Sequence, residues 1–393
     1  MKGLFVHEIS PMNINSLHLI NFRNFEGEKI EFGPQFNLLI GKNAQGKTNI
    51  IEALCILANG RSFRTSEFRD MIRMDGDFTE LRSNVSGRAG LDELRVTLDR
   101  ARKSFFRNGK KTTPGGFKGL NAVLFAPEEI LLLRDSPSAR RKYIDNLISN
   151  VVASYRGLVR SYERVISHRN RLLQEPMGSL GANLALFKGW DSQLVEYGAR
   201  IIVERNDWCT RLNGYIPERY RRIAPEDGEA TFVYRPHCGE EVLPGGERSV
   251  RDALLRELNE RREDEFVRGF TLVGPHRDDL EARIAGAAVK SFGSQGQHRS
   301  FVLALKIAEI DLLCDALGET PILLLDDVAS ELDTDRNLFF FRYLCEARGQ
   351  VFVTATDADS VKFDDAGEIR RFTIDSGRAL TSAKPSTAPP SWT

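Results

Sequence analysis

Eight consecutive residues have the types and spacing of a loop that holds nucleotide phosphates: Gly41, Lys42, Asn43, Ala44, Gln45, Gly46, Lys47 and Thr48. The two glycines allow the backbone to curl so that successive N–H groups point at phosphate oxygens. The Lys47 ammonium would then contact the β- and γ-phosphates, and the Thr48 hydroxyl would bind Mg²⁺. All eight residues are therefore predicted to bind ATP, with Lys47 also catalytic and Thr48 also a metal ligand.

The residues on either side of this loop predict the elements that must position it. Phe36–Ile40 is a short apolar run of strand length, and apolar residues recur at helical spacing after the loop up to Asn59-Gly60. A strand, a tight loop and a helix in this order place the N-terminus of the helix beneath the phosphates. The alternative interpretation, an incidental glycine-rich turn, would not require a strand before it and a helix after it.

A second group of chemically capable residues lies roughly 280 residues further along the chain. Pro321–Leu325 is an apolar run that ends in Asp326 and Asp327. A strand beside the phosphate loop would deliver Asp326 to Mg²⁺. Asp327 would orient the attacking water or accept its proton, which makes it a candidate catalytic residue. The long separation predicts a large insertion and argues against a small GTPase-like fold.

Ser294, Gln295, Gly296 and Gln297 precede another apolar helical pattern. The simplest interpretation is an N-cap, since Ser294 can accept a hydrogen bond from the first turn of the helix. Alongside the other two motifs, however, the four residues are similar to the S-x-G-Q motif of ATP-binding-cassette ATPases. That similarity implies a contact with the γ-phosphate that is bound to an opposing subunit.

The composition is ordinary for a soluble globular protein of 393 residues, with 41% hydrophobic and 28% charged residues. The 55 basic and 55 acidic residues cancel, so any nucleic-acid surface must be local. The five cysteines are scattered without a C-x-x-C pair, and no 18-residue apolar run occurs. These features predict a reduced, cytoplasmic protein without a membrane partner.

The patterning divides the chain into five segments. The predicted segments are a loose N-terminal extension (1–11), an N-terminal lobe with the phosphate loop and an antiparallel sheet (12–137), a helical arm (138–223), a C-terminal lobe (224–374) and a disordered tail (375–393). Met12 is an alternative start. Within the lobes, Glu28–Phe32 and Phe36–Ile40 are expected to pair as adjacent strands, and Phe270–Val273 is expected to form a strand.

The arm segment carries an apolar repeat of 3.5 residues from Ile144 to Leu172, which predicts one long helix that seeks a coiled-coil partner. A less regular pattern of apolar residues up to Trp208 predicts the second helix of a helical hairpin. Residues 138–222 contain fifteen basic and eight acidic residues, a net charge of +7. Both a solvated surface and a track for DNA phosphates fit this charge. Arg169 interrupts the apolar seam and has no obvious partner in the sequence.

Taken together, the motifs and their order resemble the RecF family of bacterial recombination-repair ATPases. The segments that carry the resemblance are Asn21–Phe25, Gly41–Thr48, Arg61–Arg64, Ala126–Glu129, Arg140–Asp145, Leu272–Asp279, Ser294–Gln297 and Leu325–Asp333. The resemblance implies an α/β fold: an ABC/SMC-type P-loop ATPase head with an adjoining antiparallel β subdomain and an inserted helical, coiled-coil-like arm. It also implies an ATP-dependent homodimer on gapped DNA, weak DNA-stimulated and Mg²⁺-dependent ATP hydrolysis, a role in the SOS response, and RecO and RecR as partners in loading recombinase.

Two absences bear on catalysis. No glutamine lies between Gln45 and Gln174, so Glu128, which follows a predicted strand, is the hypothesised third catalytic residue. No histidine follows His298, so the switch histidine of ATP-binding-cassette ATPases is absent. Thr354 and Thr356 are the candidates to replace it. A site that lacks both this glutamine and this histidine should hydrolyse ATP slowly. The alternatives that remain are a nucleotide-gated DNA clamp that needs no hydrolysis and the ATP-binding subunit of a transporter.

Overall fold

The computed structural model describes residues 10–88, 90–113, 116–117, 119–174, 180–328, 332–347, 349–357 and 367–381, with the backbone alone at 10, 128, 130 and 180–186. The chain divides into two compact units. Unit 1 comprises Met1–Glu129 and Ile310–Thr393, and unit 2 comprises Ile130–Glu309. Among the helices described, none is long and apolar enough to cross a membrane.

The strands are β1 (Ser10–Pro11), β2 (Asn13–Phe22), β3 (Phe25–Glu31), β4 (Phe36–Ile40), β5 (Phe78–Gly87), β6 (Gly90–Asp99), β7 (Lys103–Arg107), β8 (Lys110–Thr112), β9 (Ala122–Phe125), β10 (Ala230–Arg235), β11 (Asp279–Ile284), β12 (Ala287–Ala288), β13 (Glu319–Thr320), β14 (Ile322–Leu325), β15 (Val351–Ala355), β16 (Ile369–Asp375) and β17 (Arg378–Thr381). The α-helices are α1 (Lys47–Asn59), α2 (Pro127–Ile130), α3 (Pro137–Val151), α4 (Tyr155–Leu173), α5 (Leu180–Leu212), α6 (Ile216–Ile223), α7 (Gly246–Glu260), α8 (Arg262–Arg268), α9 (Val289–Phe292), α10 (Gln295–Leu317) and α11 (Thr334–Glu346). Short 3₁₀ helices cover Arg69–Met71, Glu240–Gly245 and Pro275–Arg277.

The first sheet of unit 1 has the strand order β17-β16-β4-β15-β14-β9 and is parallel except for β17. Its central strands β14 and β15 are buried at every position. Continuous burial is typical of parallel strands that are covered on both faces. Because the strands are parallel, β4, β14, β15 and β9 all deliver their carboxyl ends to one edge.

The second sheet of unit 1 is antiparallel, with the order β3-β2-β5-β6-β7-β8. Along β5 and β6, buried residues mostly alternate with more accessible ones, as expected for a sheet with one covered face. The prediction that Glu28–Phe32 pairs with Phe36–Ile40 is wrong. β3 pairs with β2 in this sheet, whereas β4 lies between β15 and β16 in the parallel sheet. The short connection between β3 and β4 crosses from one sheet to the other.

Helix α1 packs into the core of unit 1. Its residues Ile50, Ile51, Leu54 and Leu57 are fully buried in one apolar cluster with side chains from both sheets. The helix ends at Gly60, whose φ of 73° allows the left-handed cap that its N–H makes with the Ile56 carbonyl. The core therefore fixes the helix that begins at the phosphate loop.

Both ends of the described chain carry more order than the sequence predicted. Ser10 and Pro11, assigned to a loose extension, pair with β13. β17, which falls within the predicted disordered tail, pairs antiparallel with β16. The turn between them has positive φ at Ser376 and Gly377, which is typical of a tight hairpin. The rest of both predicted segments lies outside the described residues.

In unit 2, the predicted single helix over Ile144–Leu172 is two helices, because α3 ends at Val151 and α4 begins at Tyr155. Helices α4 and α5 lie antiparallel, since Arg169 contacts Asp191 and the earlier Tyr162 lies against the later Gly198. α5 also packs against α3, α7 and β10, so the helical pair is part of the core of this unit.

A three-stranded sheet, β10-β11-β12, completes unit 2. The prediction of a strand at Phe270–Val273 is wrong, because side chains take the backbone groups that a strand would use. The Thr271 N–H donates to Asn170 Oδ1, and the Leu272 N–H donates to Glu265 Oε1, both at 2.8 Å.

Candidate nucleotide-binding site

The loop from Gly41 to Thr48 joins β4 to α1. Ala44 and Gly46 have positive φ values of 66° and 120°, which turn the chain sharply before the helix. The Lys47 ammonium donates to the carbonyl oxygens of Gly41 at 2.5 Å and Lys42 at 3.0 Å, so it lies inside the loop. An ammonium in this position faces the place that phosphate oxygens take in loops of this kind.

Two carboxylates follow β14, and a hydroxyl on each side holds the first of them. Thr48 Oγ1 lies 3.0 Å from Asp326 Oδ1, and Thr354 Oγ1 lies 3.0 Å from the same oxygen. The Thr354 oxygen also accepts a hydrogen bond of 2.8 Å from the Asp327 N–H. Thr354 lies in β15, between the strand of the loop and the strand of the carboxylates. It therefore connects both carboxylate residues to the centre of the sheet.

Asp327 has a φ of 51°, an uncommon value for a residue other than glycine. Uncommon backbone angles cost about 1–3 kcal/mol and are frequent at functional sites. Burial lowers the pKa of Lys47, while the charges of Asp327 and then Asp326 act in the opposite direction. These effects show that the lysine and both carboxylates share one electrostatic environment.

The donor set at Thr48 and Asp326 fits a hard cation. A hydroxyl and a carboxylate oxygen 3.0 Å apart match the separation of roughly 2.9 Å between adjacent ligands of an octahedral Mg²⁺ ion. Across the residues described, no three His, Cys, Asp or Glu side chains cluster as a metal site. A Mg²⁺ ion held by one or two protein ligands, phosphates and water needs no such cluster.

The third predicted catalytic residue, Glu128, lies in α2 directly after β9. β9 pairs with β14 in register, with Phe125 opposite Leu325, so Glu128 follows the same edge of the sheet as Asp326. Its side chain lies outside the described part of the chain, and its role stays a prediction. Of the two candidates for the missing switch group, Thr354 contacts the carboxylate residues, and Thr356 is exposed just beyond β15.

Asn24 is a functional candidate that sequence reasoning did not single out. Its amide donates to the Gln45 carbonyl at 2.8 Å and accepts from the Asn49 amide at 2.8 Å. Arg64 continues this chain by donating to Asn49 at 3.0 Å. The side chain of Asn24 also comes close to Gly46, where an added Cβ would lie 2.9 Å from it. The segments Asn21–Phe25 and Arg61–Arg64 thus support the phosphate loop from outside. Their residue types alone did not indicate this role.

The other support of the loop comes from the end of the described chain. A Cβ added at Gly41 would lie 2.3 Å from the Ile374 carbonyl oxygen, so only glycine fits there without a backbone shift. The Gly377 N–H donates to the Gln45 carbonyl at 3.1 Å, and the Ser376 N–H donates to Gln45 Oε1 at 2.7 Å. β16 and its turn therefore form one wall of the loop.

In unit 2, Ser294 and Gln297 form a reciprocal cap at the start of α10. The Gln297 N–H donates to Ser294 Oγ at 3.1 Å, and the Ser294 N–H donates to Gln297 Oε1 at 2.9 Å. This is a capping box, so the N-cap predicted for Ser294 is present in the structure. Ser294 and Gln295 are exposed, which leaves this helix start accessible to a ligand.

The turn from Gly274 to Asp279 is held almost entirely from inside unit 2. Asp278 is fully buried, and its carboxylate accepts hydrogen bonds from Tyr234, from Arg205 and from the His237 N–H. Burial raises the pKa of Asp278, and the nearby arginine charge opposes that change. Asp279 accepts two hydrogen bonds from Arg140.

His276 belongs to the same buried network. Its Nε2 lies 3.1 Å from the Thr271 carbonyl and must donate there, so Nδ1 accepts the 2.7 Å hydrogen bond of the Tyr162 hydroxyl. Burial lowers the pKa of His276 to about 4, which keeps this tautomer neutral near pH 7. Arg277, in contrast, is exposed. The turn thus ties α3, α4 and α5 to β10 and β11.

Replacing Thr354 with valine is expected to destabilise the protein by about 1–3 kcal/mol, because the Asp327 N–H and the buried Asp326 carboxylate both lose a partner. Differential scanning calorimetry measures the change. Thr356→Val is the matched control, since Thr356 is exposed two residues further on and its replacement should stay within about 0.5 kcal/mol. Equal stabilities for the two variants would contradict the role assigned to Thr354.

Comparison with known proteins gives consistent matches over nearly the whole chain. The model of the RecF/RecN/SMC N-terminal domain family matches residues 13–370. The DNA replication and repair protein RecF of Geotalea uraniireducens is 36% identical over 373 residues, which cover 94% of this chain and 100% of that protein. The protein of the same description from Symbiobacterium thermophilum is 38% identical over 354 residues, covering 89% of this chain and 93% of that protein.

Solved structures agree. The recombination mediator protein RecF-ATPrS of the RecFOR pathway is similar with a TM-score of 0.86 and 32% identity, covering 96% of this chain and 100% of that one. The Smc head bound to the C-winged helix domain of ScpA is similar in fold, with a TM-score of 0.55 and 16% identity, covering 95% of this chain and 98% of that one. The predicted fold class, a P-loop ATPase head of the ABC/SMC type with an antiparallel β subdomain, is confirmed. The chain belongs to the RecF family.

Proposed function

We propose that the chain is a weak, Mg²⁺-dependent ATPase of recombinational DNA repair and replication-fork maintenance, which works in the cytoplasm. The observation that carries the proposal is the contact of Thr48 with Asp326 at 3.0 Å, with Lys47 inside the adjoining loop. Residues that are 278 positions apart meet there in the arrangement that nucleotide-hydrolysing loops use. The RecF-ATPrS structure, a close match in fold, supports ATP as the nucleotide.

Each side chain has a proposed role at this site. The backbone N–H groups of Gly41–Thr48 bind the phosphates, and Lys47 contacts the β- and γ-phosphate oxygens. Thr48 and Asp326 hold Mg²⁺, which neutralises charge on the phosphates when bound. Asp327 orients the attacking water or accepts its proton, with Glu128 as the second candidate for this task. Thr354 keeps both aspartates in place.

The finer part of the proposal concerns assembly. Ser294–Gln297 would contact the γ-phosphate held by a second copy of the chain, so ATP binding would favour a homodimer. The dimer would bind DNA at single-stranded gaps or junctions and, with RecO and RecR as partners, help to load recombinase. Support comes from the accessible start of α10 and from the match with a recombination mediator of the RecFOR pathway.

The test is sedimentation with ATP, ADP or no nucleotide, with and without gapped DNA, together with ATPase rates. Lys47→Arg is expected to abolish the ATP-dependent dimer and its DNA complex. Asp327→Asn is expected to keep the ATP-dependent dimer and its DNA complex and to lower the hydrolysis rate about 10²–10⁴-fold. Lys29→Arg, at an exposed ion pair with Glu31, is the control and should behave as the wild type.

The outcomes separate the candidate functions. A wild-type protein that stays monomeric with ATP and ignores DNA would overturn the proposal. If Asp327→Asn cells repair DNA damage as well as wild-type cells while Lys47→Arg cells do not, nucleotide binding alone matters and the chain is a nucleotide-gated DNA clamp.

A further inference from the structure

One line along the solvent-facing side of α4 carries three arginines and two small residues, and the exposed Glu163 lies beside it. Arg160, Arg164 and Arg171 are exposed, and exposed Gly157 and Ser167 lie between and beside them. The spacing 157, 160, 164, 167 and 171 alternates three and four residues, which places these positions on one face of a helix. The opposite face, with Tyr162 and Arg169, is buried. The three arginines extend roughly 16 Å along the helix axis.

Several arginines on other helices of unit 2 are paired with acidic side chains. Arg221 and Arg222 of α6 pair with Glu218, and Arg251 of α7 pairs with Glu196 and Glu247. For Arg160, Arg164 and Arg171, the described part of the chain offers no ion pair. Three like charges on one helix face repel one another, and the single acid beside them, Glu163, leaves the row with a net positive charge.

An aromatic pair borders this row. His168, one turn from both Arg164 and Arg171, stacks on Trp190 of α5 with ring centroids 4.7 Å apart and an interplanar angle of 7°. Both rings are partly exposed. The stack fixes the α4–α5 contact next to the arginines and keeps their helix face rigid. A rigid row of positive charge without bulky side chains between the arginines lets a regular polyanion approach closely.

We propose that Arg160, Arg164 and Arg171 contact the phosphate backbone of duplex DNA. The net charge of +7 over residues 138–222 gives the electrostatic attraction, and the row on α4 places part of it on one accessible line. DNA presents one negative charge per roughly 1.7 Å of helix axis, so several phosphates lie within the span of the row. The inference rests on the proposed function, because it assumes that the chain binds DNA, and it names the surface that does so.

The experiment compares the wild type with Arg160→Gln/Arg164→Gln/Arg171→Gln in duplex binding at several salt concentrations, with ATP present. Three lost phosphate contacts should reduce the slope of log affinity against log salt by about 2.7. The wild type should therefore lose about 40-fold more affinity than the variant between about 50 and 200 mM salt. The matched control, Arg221→Gln/Arg222→Gln/Arg251→Gln, removes the same charge from paired arginines and should keep most of the wild-type slope.

Three results would overturn the inference. Equal slopes for the variant and the wild type, with ATP binding intact in both, would contradict it while leaving the proposed function standing. Loss of binding to poly-L-glutamate with unchanged DNA affinity would assign the row to an acidic protein segment. A wild type that binds ATP but no DNA would defeat the DNA part of the proposed function together with this inference.

Discussion

Replacing Arg169 with methionine is expected to destabilise the protein by about 3–5 kcal/mol, because it removes the cation from the buried Glu265 carboxylate and leaves Asp191 with Arg262 alone. Arg169 is fully buried and donates to Asp191 at 2.8 Å, to Glu265 at 2.6 Å and to Thr271 at 2.9 Å. The carboxylates are nearly as inaccessible as the arginine, so water cannot replace it. Chemical denaturation, followed with a spectroscopic probe in unit 2, measures the loss in the free energy of unfolding.

The cause can be separated from a general packing defect. Adding Glu265→Gln to the Arg169→Met protein removes one of the buried charges and should restore part of the stability, whereas Glu265→Gln alone should destabilise. Arg248→Met is the matched control, since Arg248 is exposed on α7 and its replacement should stay within about 0.5 kcal/mol. An Arg169→Met protein as stable as this control would show that the buried ion pairs contribute nothing.

Gly274→Ala is expected to cost roughly 2–4 kcal/mol, from two separate sources. Gly274 has φ 123° and ψ 178°, a region that is essentially restricted to glycine. A Cβ at this position would also lie 2.3 Å from the Tyr162 hydroxyl oxygen. The clash and the backbone strain both act on the turn that ties the helices of unit 2 to its sheet. Thermal unfolding of the variant measures their sum.

A second substitution separates the two sources. In the Gly274→Ala background, Tyr162→Phe removes the clashing hydroxyl and should restore some stability, although the hydrogen bond to His276 is then lost. Gly286→Ala is the control for strain alone, because Gly286 has φ 80° and open space around it. It should cost about 1 kcal/mol. If Gly274→Ala were no worse than Gly286→Ala, the contact with Tyr162 would not restrict the turn.

The phosphate loop, the carboxylates after β14 and the cap at Ser294 could be predicted because each is a local pattern. A few consecutive residues determine the backbone shape and supply the chemistry, so the sequence contains all that is needed. The capping box shows this clearly, since Ser294 and Gln297 bond to each other's backbone within one turn. Whether this cap faces a second copy of the chain does not depend on a local pattern, and that contact stays a prediction.

Contacts between distant residues were not predictable from pattern alone. Arg169 had no partner in the sequence because Asp191 and Glu265 reach it only after α4, α5 and α8 have packed. Asn24 supports the loop through one hydrogen bond to a backbone carbonyl, which requires no particular spacing. Which of Thr354 and Thr356 contacts Asp326 was likewise not evident from the sequence.

The two strand errors have distinct physical causes. The pairing of β3 with β4 was predicted because neighbouring strands usually pair, but the burial of four consecutive residues along β4 suits a parallel sheet. The strand expected at Phe270–Val273 fails because Asn170 and Glu265 bind its N–H groups. The single helix over Ile144–Leu172 was predicted from a repeat that continues across the break at residues 152–154.

The wall that Ile374, Ser376 and Gly377 build against the phosphate loop has a consequence for biosynthesis. The loop is synthesised well before the strands on both sides of β4 and the turn that holds Gln45, because these come from residues 351–377. During translation the loop therefore leaves the ribosome long before its neighbours exist. A nascent chain should gain nucleotide affinity only after residues 351–377 have been synthesised, so a chain that ends before them should bind ATP weakly.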